Sequence, residues 1–269
     1  MITFKEFIKE ASVGDNIDIK IIDMNEVVSI VKQHCSQYVS NLPSNLIFRN
    51  MKDVKVRDKC GLVNTENTER KSENTTNYYT IFLDNNPLCK GFPKRSKSLI
   101  CSSDFYNSFL GDKVVVIPFD NAKIGLTNKP DIWSVNIHIF GSRMLGLDDL
   151  NSIFSSDLEI PCDLKDFQEF DERLEKGDKA ALEIFKYAFN MDNSDLKEYK
   201  DHFMDDIWQA YSPESTGFEA TTGATINNLR KQELWVEGKM LVISVYQFEE
   251  FITALKEAGL IESTKKIII

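Results

Sequence analysis

Three residues far apart in the chain stand where they could do more than pack. Arg49 lies inside the apolar run "LIFRNM". A guanidinium there needs an anionic partner, and its planar fork suits a phosphate or a carboxylate. The stretch "RSKSLICSSD", residues 95–104, brackets Leu99, Ile100 and Cys101 with hydroxyls. Ser98, Ser102 and Ser103 each offer one donor and two acceptor lone pairs, enough to orient a ribose or a carboxylate. Glu233 opens the run "ELWV" after a loop rich in small residues, a position that presents a carboxylate over a cleft. Such a group, placed beforehand in a water-poor site, stabilises a developing cation. Each residue has a plainer alternative: a salt-bridged arginine, a strand-end serine turn, a surface glutamate. Lys94, Arg95 and Lys97 read as a solvated basic edge. The order arginine, serine, glutamate on three strands is what favours a site.

The elements that must hold these residues follow from periodicity. "NEVVSIVKQHCSQYVSN" puts Val27, Val31, Cys35 and Tyr38 on one helical face, with Asn25 as its cap. "LIFRNM", "SLICSS", "KVVVIPFD", "AKIGL", "ELWV" and "MLVISV" read as strands, and Glu237-Gly238 as a hairpin turn or bulge between the last two. "YYTIFL" fits strand or helix, and residues 52–77 read as one long polar loop. From Asp163 to Tyr211 the spacing predicts three amphipathic helices. Their stripes are Leu164, Phe167, Phe170 and Leu174, then Leu182, Phe185 and Phe189, then Leu196 to Tyr211 through Tyr199, Phe203 and Ile207. "YQFEEFITALKEAG" closes as a helix ended by Gly259. Short strands on both sides of one helical block predict an α+β architecture of two facing, mostly antiparallel small sheets.

Composition narrows the classes. The 269 residues are 42% hydrophobic with a formal net charge of −10, which disfavours broad electrostatic binding to nucleic acid or anionic membrane. No apolar run approaches transmembrane length. Five cysteines without metal-type or paired spacing point to reduced thiols in a cytosol, and three isolated histidines argue against a zinc site.

The three patches together resemble the R-S-E class of ADP-ribosyltransferases, phage-encoded members in particular. "LIFRNM" is similar to the arginine strand of that class, and "FPKRSKSLICSSDFYNSFLGDKVVVIPFDNAKIG" to its hydroxyl strand, following helix and next strand. "RKQELWVEGKMLVISV" is similar to its glutamate loop and strand. The resemblance, over roughly residues 40–245, implies a split β-sandwich of two small antiparallel sheets around an NAD cleft, with a helical insert at about 163–211. It implies NAD as substrate and transfer of ADP-ribose to a host macromolecule. A protein is the first choice of acceptor, with nucleic acid left open and no membrane involved. Carried over by position, Arg49 holds the dinucleotide phosphates, Ser102 supports the nicotinamide ribose with Ser98 and Ser103 as alternates, Tyr106 is the stacking candidate beside Tyr78 and Tyr79, and Glu233 is the catalytic carboxylate. The chain departs from the pattern at Cys101-Ser102-Ser103, where Ser-Thr-Ser is common, and at Asn50, where glycine is usual. Lys231 stands where arginine-modifying members carry a second glutamate. These departures leave open a catalytically inactive relative that binds NAD or a host protein.

Residues 1–14 read as a separate element, from the capping pair Thr3/Glu6 and the apolar Phe4, Phe7, Ile8 and Ala11. "MITFKEFIKEASVGDN" resembles the capsid-targeting peptide of internal proteins of T-even-type bacteriophages. That resemblance implies cleavage after Glu10, packaging in the prohead and capsid interior, and delivery to the host cytoplasm. It also keeps a virion packing role as an alternative. Residues 15–269 are then the transferase-like domain.

Overall fold

The computed structural model describes residues 19–51, 58–68, 78–107, 112–132, 135–141 and 143–262. The N-terminal peptide and the tail "KKIII" lie outside them. In chain order the strands are β1 Ile19–Ile22, β2 Ile47–Met51, β3 Cys60–Asn64, β4 Ser98–Ser102, β5 Asp112–Pro118, β6 Lys123–Leu126, β7 Asn136–Ile139, β8 Arg143–Gly146, β9 Glu219–Thr222, β10 Glu233–Glu237 and β11 Lys239–Ser244. The α-helices are α1 Met24–His34, α2 Ser36–Ser40, α3 Tyr78–Asn85, α4 Leu147–Ser152, α5 Leu164–Glu175, α6 Lys179–Ala188, α7 Asn193–Tyr199, α8 Phe203–Ala210, α9 Pro213–Thr216 and α10 Phe248–Glu257. The chain is α+β and divides into two compact units: residues 1–73, 91–130 and 219–269, and residues 74–90 and 131–218.

The first unit is built on one nine-stranded sheet, ordered β1-β3-β11-β5-β2-β4-β10-β6-β9, with every pair antiparallel. Two separate small sheets were expected; the strands instead share one continuous ladder. Its weakest joint is β2–β4, a single bridge at Phe48 and Ser102. The ladder cannot lie flat. β10 and β11 are four strand spacings apart in the order, about 19 Å if flat, yet Gly238 alone connects Glu237 to Lys239. One residue spans about 7 Å between flanking Cα atoms. The halves on either side of the β2–β4 joint must therefore fold toward each other, a layered arrangement made from one sheet.

Gly238 takes φ +118°, a conformation open to glycine alone at little cost. It makes a crossover between the halves rather than the expected hairpin, because β10 and β11 have different partners. The turn 119–122 crosses in the same way from β5 to β6. There Gly223 packs so tightly that an added Cβ would lie 2.1 Å from the Phe119 carbonyl oxygen.

Val114, Val115, Val116 and Ile117 of β5 are fully buried, as a central strand of β-branched residues should be. Across the sheet lie Val27 and Val31 of α1, then Cys35, Tyr38, Val39 and Leu42, all buried in the same core. Asp23, not Asn25, caps α1 by accepting from Glu26 N at 2.9 Å. Asp120 supplies the matching cap for α2, accepting from Tyr38 N at 2.9 Å and Gln37 N at 3.3 Å. β3 falls inside the stretch 52–77 expected to be loop; its neighbours 52–57 and 69–77 are outside the described residues.

The second unit holds the β7–β8 hairpin and the helices α3 to α9. "YYTIFL" is helical, as α3. Its core is aromatic: Phe82, Phe154 and Phe167 meet with centroids 4.8 to 5.6 Å apart, and Phe140, Phe185, Phe189 and Phe203 extend the cluster. The third expected helix is two, α7 and α8, separated at Lys200–His202. α7 buries none of its residues and is held by its cap Asp192, which accepts from Ser194 N and Asp195 N.

Candidate active site

β4 lies between β2 and β10, and the register decides what it brings together. Glu233 pairs directly with Ser102, and Ser102 pairs on its other side with Phe48. Directly paired residues in an antiparallel ladder share a face. Ser98, Ile100 and Ser102 of β4 thus share a face with Glu237, Trp235 and Glu233 of β10. Gly125 of β6 pairs with Trp235 from the other side. The hydroxyls at the ends of "SLICSS" are therefore matched by carboxylates, around an apolar middle of Ile100 and Trp235.

Glu233 is 1% exposed. Trp235, two residues on and on the same face, donates Nε1 to Glu233 Oε1 at 2.6 Å. Arg95 closes over the indole, its guanidinium carbon 5.6 Å from the ring centroid. Arg95 is itself buried, so it is not the solvated edge its neighbourhood in sequence implied. The main chain of Glu233 is held from the segment just after β6, with its amide donating to Lys129 O at 3.1 Å and its carbonyl accepting from Thr127 N at 3.2 Å.

Arg49 follows Phe48 and so starts on the opposite face of β2 by strand alternation. Beyond the single bridge β2 and β4 separate, and Arg49 Nη1 donates to the carbonyl of Ile100 across that gap. Arg49, Ser102 and Glu233 thus lie on three adjacent strands, with Ser102 and Glu233 in one row and Arg49 one step out of it. A peptide carbonyl is thus one partner of the arginine.

The other serines have local partners. Ser98 Oγ donates to Lys94 O at 2.6 Å, closing the turn before β4. Ser102 Oγ accepts from Asp104 N at 3.0 Å. Ser103 Oγ donates to Arg230 O, and it accepts from Gln232 N at 3.0 Å. Among the aromatic candidates, Tyr106 is 73% exposed and packs edge-on to Phe105. Tyr78 and Tyr79 are core residues of the second unit, and Tyr78 Oη donates to Ile160 O at 2.5 Å, so they offer no stacking face.

Sequence reasoning missed Asp104, Lys113 and Trp235. Asp104 is buried, pairs with Lys231 at 3.1 Å and accepts from Tyr106 N at 3.1 Å. Lys113 stands 3.6 Å over the Phe105 ring and donates to its carbonyl. Burial lowers its ammonium pKa below the usual lysine range, against Asp104, which raises it. The signal for Trp235 was its spacing of two from Glu233, which on a strand means a shared face.

A cavity of about 460 Å³ lies at the far end of β10, lined by His34, Glu66, Phe119, Lys123 and Glu237 among others. Four strand steps separate Glu237 from Glu233, about 13 Å, so this cavity is not the place where Ser102 and Glu233 meet. Among the described residues no His, Cys, Asp and Glu cluster could hold a metal ion, and no helix is long and apolar enough to cross a membrane. Comparison of the chain with protein-family models, curated proteins and solved structures finds no match in any of the three.

Proposed function

We propose that the chain is a mono-ADP-ribosyltransferase that uses NAD and modifies a host protein during phage infection, travelling to the host cytoplasm from the virion interior. The observation that carries the reading is the register pair Ser102–Glu233, a hydroxyl and a buried carboxylate side by side with an arginine on the next strand. These three groups suit a donor with phosphates, a ribose and a bond that breaks toward a cation. In the reaction the ribose C1′–nicotinamide bond breaks and its electron pair leaves with nicotinamide. The acceptor nucleophile then bonds to C1′ and gives up its proton. Glu233 opposes the positive charge that develops between the two events. Arg49 serves the phosphates by exchanging the Ile100 carbonyl for them, a stronger charge-assisted contact.

A second reading is favoured by the same geometry. Glu233 is engaged by Trp235, and Arg49 by Ile100, within the folded protein. A site so satisfied fits a relative that binds NAD or a host protein without turnover. Incubation of the protein with labelled NAD separates the two. Nicotinamide release, with ADP-ribose adducts found by mass spectrometry of host lysate, supports the transferase. Binding without release supports the inactive relative, and neither result leaves the packing role.

A further inference from the structure

We infer that Ser103 is a positioning residue for Glu233 rather than a group that touches the NAD donor; the inference rests on the transferase reading. The ladder between β4 and β10 is regular up to the pair Ser102–Glu233 and would end there. Ser103 carries it one step further. Its amide donates to Gln232 O at 3.1 Å, its Oγ accepts from Gln232 N at 3.0 Å, and the same Oγ donates to Arg230 O. One side chain thereby both donates to and accepts from the run that leads into Glu233, at Arg230 and Gln232. The next residue adds a charge to the same junction, since Asp104 pairs with Lys231 at 3.1 Å. Asp104 is buried while the Lys231 side chain is 75% exposed, so the ion pair is the looser of the two ties. On the other side Lys129 O and Thr127 N fix the Glu233 peptide groups. The backbone of Glu233 is therefore held on both sides, by its ladder pair with Ser102 and by Thr127 and Lys129 just past β6, and the side-chain bonds to the run leading into it depend on the Ser103 hydroxyl.

A hydroxyl used up in this way has little left for a ribose. A shift of about 1 Å at a reacting group costs on the order of 100-fold in rate, so loosening this junction should act on turnover. Ser103→Ala removes both side-chain bonds, and Ser103→Thr keeps the hydroxyl. The expected result for Ser103→Ala is a fall of roughly 10- to 100-fold in kcat for nicotinamide release with KM for NAD nearly unchanged. Ser103→Thr should restore most of the rate. A raised KM with unchanged kcat in Ser103→Ala would overturn the inference and make Ser103 a donor-binding group. Hydrogen exchange on the same proteins needs no turnover, so it still decides if the transferase reading itself fails. Faster exchange confined to residues 230–234 in Ser103→Ala, and reversed in Ser103→Thr, supports the junction. Unchanged exchange there overturns it.

Discussion

The two units bury different things. Every charged residue buried among the described ones, Arg49, Arg95, Asp104 and Glu233, belongs to the sheet unit. The helical unit buries only the uncharged polar residues Thr80, Asn86, Ser212 and Thr216. Its interior is rings on rings, and its ionised groups stay at or near the surface. Removing a charge from water costs several kcal/mol before any partner repays it, roughly, even after relaxation. A fold can meet its stability needs without that cost, and the helical unit does so. The sheet unit carries four such charges, on or beside β2, β4 and β10. That difference points to β4 and β10 as the place where composition is set by chemistry rather than packing.

If the contrast is real, the largest stability effect should come from the aromatic unit. Phe167 is fully buried and meets Tyr78, Phe82 and Phe154 edge-on. Phe167→Ala should destabilise the protein by about 3–5 kcal/mol through lost transfer and an unfilled cavity. Urea unfolding measures it, and a loss near zero would mean that this core collapses around the gap and is not the tight cluster described.

The sheet unit should respond in rate instead. Glu233→Gln retains an oxygen to accept from Trp235 Nε1 but removes the charge. Nicotinamide release should fall on the order of 100-fold or more, roughly 3 kcal/mol, while NAD affinity moves little because the ground-state ribose carries no positive charge. Turnover undiminished in this variant would make Glu233 a structural partner of Trp235 and erase the contrast. Arg49→Lys is the smaller test on the same sheet. Lysine keeps a donor for the Ile100 carbonyl but loses the planar fork, so NAD affinity should weaken by about tenfold, near 1.4 kcal/mol. A drop in melting temperature with unchanged affinity would instead assign Arg49 to the β2–β4 joint.

How much of this could be read from sequence depends on where the partner lies. Phe167, Phe170, Leu174, Phe185, Phe203 and Ile207 follow the helical period, and all are buried as expected. Arg49, Ser102 and Glu233 were visible as residue types, and their strands are adjacent. The carbonyl that Arg49 meets was not visible, because a main-chain partner has no letter. β3 was lost in polar surroundings, since "CGLVN" is short and Gly61 interrupts its alternation. α3 was ambiguous because "YYTIFL" is apolar throughout and has no period to read. Glu237-Gly238 has the local chemistry of a hairpin turn. Only the pairing of β11 with β3 and β5, set by residues far off in the chain, makes it a crossover.

The smallest expected effect sharpens the comparison from the helical side. Asp171 on α5 is half-buried and accepts from Met204 N at 3.3 Å. Burial raises its carboxyl pKa to about 6, the Met204 hydrogen bond lowers it somewhat, and Glu175, Asp205 and Glu172 add to the rise. A carboxyl raised in the folded state binds its proton more tightly there than in the unfolded chain. The folded state is therefore penalised above pH 6, and the penalty fades as pH falls from about 6 toward the ordinary value of 3.8. Asp171→Asn keeps the acceptor for Met204 N and has no charge to penalise. It should stabilise the protein at pH 7.5 by on the order of 1 kcal/mol, allowing for solvent screening at a half-exposed site. That gain should vanish below about pH 4, where aspartate and asparagine are both neutral. Urea unfolding of both proteins at the two pH values measures the difference. A gain of the same size at both would trace to packing or helix propensity, and Asp171 would then carry no strained charge.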